Sequence, residues 1–121
     1  MSDTQWSIRI ARTGRLLAAR AAMARTLGAR MKGLLGRRSL GAQEAMIFPQ
    51  CRSIHTLGMQ CAIDAVFVDR TWRIVAMRPH LRPGRVLFPV IGAWGVVECA
   101  EGTLDRAGLS IGDQLQLLEA T

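Results

Sequence analysis

Tyrosine is absent from this chain of 121 residues, and the aromatics are confined to Trp6, Trp72, Trp94, Phe48, Phe67 and Phe88. With half of all residues hydrophobic, a core is available, but it must be mostly aliphatic. Cysteine is sparse: Cys51, Cys61 and Cys99 make an odd number with no C-x-x-C spacing. That argues against a disulfide framework and for a reducing compartment. No run of about 18 apolar residues occurs, which excludes a membrane-spanning helix. The opening MSDTQWSIRIARTG has no apolar run after its charges, so no secretory leader is read and a cytoplasmic location is expected. Neither G-x-G-x-x-G nor G-x-x-x-x-G-K-[ST] is present, so no phosphate-cradling loop is expected. Histidine is limited to His55 and His80. Cys51, His55 and Met59 are chemically suited to copper, but that geometry wants a second histidine, and zinc wants three or four ligands at tighter spacing. No metal and no cofactor is expected.

Acidic residues are nearly missing from the first third. Residues 1–40 carry nine Lys and Arg against Asp3 alone, while the remainder carries seven Arg against eight acids. The net charge of +7 therefore resides in the first third. A basic segment of this kind can meet nucleic acid, anionic lipid or an acidic protein, or be a plain solvated face. No aromatic residue interleaves Arg25, Arg30, Lys32 and Arg37 to stack on bases. At most nonspecific, salt-sensitive nucleic-acid binding follows.

What is present reads mainly as strands. Trp6-Ser-Ile8-Arg-Ile10 alternates apolar and polar, as a half-buried strand does. Leu16 to Leu35 is ambiguous: its Ala, Leu, Arg and Met content favours helix, yet Leu17, Ala19, Ala21 and Met23 also alternate. Thr26 and Gly36 could bound a helix over 26–36. Ala45 to Phe48 is a short buried run stopped by Pro49. Ile63 to Val68 is nearly continuously apolar, as expected for a strand covered on both faces, with Trp72 to Met77 its antiparallel partner. Pro79, Pro83, Gly84 and Pro89 predict a long irregular loop over 79–90, a candidate lid. Ala93 to Cys99 reads as a strand, Thr103 to Ala107 as one helical turn, and Gln114 to Glu119 as a closing strand. Gly102, Gly108 and Gly112 are expected at turns with positive φ.

The stretch Cys51-Arg-Ser53-Ile-His55-Thr56-Leu-Gly-Met59-Gln-Cys-Ala-Ile-Asp64 gathers the residue types from which sites are made. His55 can change charge near neutral pH. A hydrolase would need Ser53 or Cys51 as nucleophile within hydrogen-bond reach of it. The plainer reading is a hydrogen-bonded histidine under a core, with Cys51, Met59 and Cys61 as filler. Asp64 and Glu98 each lie in an apolar strand, where an ionised carboxylate must be paired or hydrogen-bonded. Arg52, Arg82 or Arg85 could reach them.

Several of these pieces together resemble the uncharacterised family called domain of unknown function 192. They are Met31-Lys-Gly33-Leu34-Leu35-Gly36-Arg37, Ser53-x-His55-Thr56-x-x-Met59 with Ile63-Asp64-x-x-Phe67, Val97-x-Cys99-x-x-Gly102, and Gly108-x-x-x-Gly112-Asp113, in order over about residues 7–118. The resemblance implies a compact domain of curled antiparallel strands with one or two short helices, and implies that residues 16–24 form a strand. It supplies no activity.

The expected architecture is a single α+β domain over residues 1–121: a small curled, mostly antiparallel sheet, open to partial barrel closure, with one or two short helices. The expected function is a non-enzymatic binding or accessory module, its partner a protein or a small ligand. The candidate ligand-binding residues are Ser53, His55, Thr56, Met59, Asp64 and Glu98. A small hydrolase with His55 as base and a nucleic-acid-associated protein are the alternatives.

Overall fold

The structure, a computed structural model, describes residues 5–24, 40–56 and 59–119. The helix predicted over 26–36, and with it Arg25, Arg30, Lys32 and Arg37, lies outside them. The alternating segment forms β1 (Gln5–Ile10), which buries Ile8 and Ile10 completely. β2 (Leu16–Met23) is a strand despite its helix-favouring composition, because β1 and β3 (Glu44–Phe48) pair with it on either side. Backbone groups satisfied by two neighbours outweigh a propensity of a few tenths of a kcal/mol per residue. Its buried set is Leu17, Ala18 and Ala21 rather than a strict alternation, since the β1 register slips at two points.

β4 (Ile63–Val68) and β6 (Gly95–Ala100) are buried along their whole length, as a strand covered on both faces must be. β5 (Ile74–Leu81) pairs antiparallel with β4, α1 (Thr103–Ala107) is the short predicted helix, and β7 (Leu115–Glu119) returns to β1. The order β5-β4-β6-β3-β2-β1-β7 makes one curled sheet in which only β2–β3 is parallel. Its two edge strands meet at one end, where Arg73 bridges Gln114 and Ile74 N–H donates to Asp113 O at 2.9 Å. The sheet is thus a half-barrel stitched at one corner. Asp113 fixes that corner by accepting from the Arg12 guanidinium at 2.7 and 3.0 Å and from Ser110 N–H at 2.9 Å. The Arg12 hydrogen bonds hold its carboxyl below the usual carboxylate range. Gly102, Gly108 and Gly112 all take positive φ.

β5 differs from the sequence reading at both of its ends. β5 begins at Ile74, not Trp72, because the Asp69 carboxylate gathers Thr71 N–H, Thr71 O–H and Arg73 N–H into a turn. It also runs on through Pro79 to Leu81, so the irregular segment starts later, at Arg82. A proline is tolerated there because β5 is an edge strand.

The sheet buries two faces. On the first lie Ile8, Ile10, Leu17, Ile47, Val66, Val68, Val97 and Cys99, with Leu104 and Ala107 of α1 against them. On the second lie Phe48, Ala65, Phe67 and Val96, continued by Ile63, Ala100, Leu40 and Met59. Phe67 is fully buried there, a contribution of about 1.5–3 kcal/mol.

Candidate functional site

The segments 51–56 and 59–62 and the ribbon 85–90 cover the second face together. His55 bridges Val86, Leu87 N–H donates to Ile54 O at 3.1 Å, and Val90 N–H donates to Arg52 O at 2.9 Å. Thr56, fully buried, ties the two together. Its N–H donates to Arg85 O at 2.7 Å and its hydroxyl to Arg82 O at 2.7 Å. The same hydroxyl oxygen accepts from Arg85 N–H at 2.8 Å, and its carbonyl accepts from Gly84 N–H at 2.9 Å. The expected lid is therefore pinned at its start.

The other predicted residues divide. Met59 is buried beside Leu40, Ile63 and Ala100. Ser53 is half-buried, and its carbonyl accepts the Cys51 thiol at 2.9 Å. His55 is exposed, and its ring makes no hydrogen bond among the described residues. Cys99 is inert: burial, and then the Asp64 and Glu98 charges, push its thiol up to about 12. Among the described residues no cluster of His, Cys, Asp or Glu could hold a metal ion.

The expected partnership of His55 with Asp64 meets the alternation of a strand. Asp64 lies opposite Cys99 in the β4–β6 register, on the first face, whereas His55 belongs to the cover of the second. Asp64 is fully buried and fully used. Opposite it β5 bulges, so that Pro79 and His80 face this one residue, with His80 at φ 54. Asp64 Oδ1 accepts the His80 N–H at 2.9 Å. Its Oδ2 accepts Leu104 N–H at 3.0 Å, capping α1, whose own cap position, Gly102, has no side chain to offer. Among the described residues no arginine pairs with Asp64. The His80 ring meets Glu101 at 3.0 Å and Asp105 at 3.4 Å, and the Glu101 hydrogen bond holds it above the usual histidine range.

Glu98 is the opposite case. It stands between Met46 of β3 and Ala65 of β4, on the second face, where the clusters around Phe67 and Met59 adjoin. Met46, Ile54 and Leu81 pack against both clusters. Its exposure is 5%, and among the described residues no hydrogen-bond donor or cation meets it. Burial pushes its carboxyl up to about 7, so near neutral pH it can hold or release a proton.

A groove of about 710 Å³ that the sequence did not signal opens at the strand ends, lined among others by Arg52, Arg70, Thr71 and Trp94.

The sequence pattern of domain of unknown function 192, described as an uncharacterised ACR family, matches residues 8–117. A "UPF0127 protein" of Thermococcus sibiricus is 28% identical over 106 residues, spanning 84% of this chain and 68% of the relative. A crystal structure of a candidate transcription regulator from Sinorhizobium meliloti 1021 superposes with a TM-score of 0.78 at 22% identity, covering 96% of this chain and 94% of that one. A protein of unknown function from Novosphingobium aromaticivorans gives 0.78 at 24% identity, covering 93% and 83%. Likeness at this identity shows a shared fold and nothing of activity.

Proposed function

This chain belongs to the uncharacterised family named domain of unknown function 192, and we propose that it is a non-enzymatic binding module whose small ligand is met by the Glu98 carboxyl. The observation that carries this reading is a carboxyl group only 5% exposed among apolar side chains, which no donor or cation among the described residues meets. A carboxyl that burial raises to about 7 is well suited to read a donor group on a guest. Ser53, Thr56 and Met59 belong to the segment over that face, and His55 stands at its outer side. Asp64 has no part in it, since both of its oxygens already serve the backbone.

The hydrolase alternative, with His55 as base, ranks second. A general base must lie within hydrogen-bond reach of the proton it takes, and the exposed His55 ring makes no such contact among the described residues. Nonspecific nucleic-acid binding ranks third. Of the described basic residues in the first third, Arg12 is engaged by Asp113 and Arg15 by the Arg106 carbonyl.

A thermal-shift screen of small amines, amides and alcohols tests the leading reading. A ligand that stabilises the native chain should lose roughly tenfold in affinity against Glu98→Gln, which keeps the size and removes the titrating group. Ligands binding both proteins equally would make Glu98 architecture and sink the reading.

A further inference from the structure

The ribbon over the second face turns the wrong kind of side chain to water. Leu87 and Val90 point inward, against the cluster around Phe67. Val86, Phe88 and Ile91 point outward, 69%, 91% and 98% exposed. Only projecting side chains reach the last two values. The segment is held in place, by Thr56 at its start, by the bonds to Ile54 and Arg52 along its length, and by Ala93 N–H on Val90 O at its end. A held row of projecting apolar groups marks an interaction surface.

The charge around this row has one sign. No acidic residue occurs from Arg82 to Gly92. Arg52, Arg82 and Arg85 are exposed, and among the described residues none has a carboxylate partner. Immediately after Ile91 the chain enters the groove of about 710 Å³, which Arg52 and Arg70 line together with Gly92 and Trp94. The groove's own acid, Asp69, is turned to Thr71 and Arg73 by three hydrogen bonds.

We propose that ribbon and groove form one docking surface for an anionic lipid membrane. Phe88 and Ile91 enter the acyl boundary, Val86 follows at headgroup depth, and a lipid phosphate is held between Arg52 and Arg70. Interfacial binding grows with the apolar area inserted and with attraction between basic residues and anionic lipid, and this surface offers both side by side. A second copy of the chain is a poorer occupant, because two such ribbons would bring Arg52, Arg82 and Arg85 against their own kind. The inference is independent of Glu98, which is buried on the second face between Met46 and Ala65.

Co-sedimentation of the full chain with vesicles tests it. Vesicles of phosphatidylcholine with phosphatidylserine should retain the native chain at least about tenfold better than phosphatidylcholine alone. Phe88→Ser with Ile91→Ser should lower retention about tenfold or more while leaving the melting temperature unchanged, since neither side chain packs. Arg52→Gln with Arg70→Gln should lower it about fivefold per arginine and flatten its salt dependence, with the apolar row intact. Three outcomes would overturn the proposal: no retention on the anionic vesicles; a lipid-free dimer abolished by the serine variant; or inorganic phosphate bound by the groove in a chain that ignores vesicles.

Discussion

Asp64 and Glu98 are buried carboxyl groups on paired strands, one register step apart and on opposite faces of the sheet. Asp64 accepts two backbone N–H groups that the fold has left over, one from the bulge at His80 and one from the start of α1. Glu98 accepts from no described residue and sits among apolar side chains. Burial therefore has two outcomes here. Where the backbone needs acceptors, a buried carboxylate is architecture. Where no described donor meets it, burial raises its carboxyl instead, and such positions are where function is to be sought.

The comparison predicts opposite signs on mutation. Asp64→Asn replaces an acceptor pair with one oxygen and one amide, stranding a buried N–H, and should cost about 3 kcal/mol in urea melts near neutral pH. A loss under about 1 kcal/mol would show that the cap and bulge hold without it. Glu98→Gln should instead stabilise, by about 1–3 kcal/mol at about pH 8.

The sign follows from titration. The Glu98 carboxyl is raised by burial from an ordinary 4.5 to about 7 in the folded chain. The unfolded chain thus gives up its proton first as pH rises. The favourable contribution is complete below 4.5, declines between 4.5 and 7, and is gone above about 7. The native chain should lose roughly 3 kcal/mol over that interval from this group, whereas Glu98→Gln should lack the slope. Equal pH dependence in the two proteins would mean that Glu98 is solvated in the folded chain.

Smaller effects sharpen the contrast between scaffold and surface on the second face. Thr56→Val leaves Arg85 N–H without its acceptor and should cost about 1–2 kcal/mol by thermal denaturation. His55→Gln, one position away but exposed, should stay within about 0.5 kcal/mol. A large loss there would place the ring in a network that the exposed geometry lacks.

Much of the fold was legible in the residues. Period-two alternation marked β1, continuous apolar character marked the doubly covered β4, and proline and glycine marked the turns. Position β2 was not legible alone, because alanine, leucine and arginine suit either state and neighbouring strands made the choice. Nor could the sequence say that Pro79 and His80 continue a strand, since that depends on β5 being an edge.

The candidate site was half legible. Asp64 and Glu98 stood out as acids in apolar surroundings, a property of the sequence itself. Their opposite fates were decided by which face each strand turns inward and by which backbone donors arrive from β5 and α1. Those donors come from positions 16 and 40 residues away from Asp64. Composition fixes which groups must be satisfied, and short-range pattern fixes whether the chain runs extended. Only long-range pairing brings the partner or leaves it missing, because a hydrogen bond depends on distances that neighbours in sequence do not set.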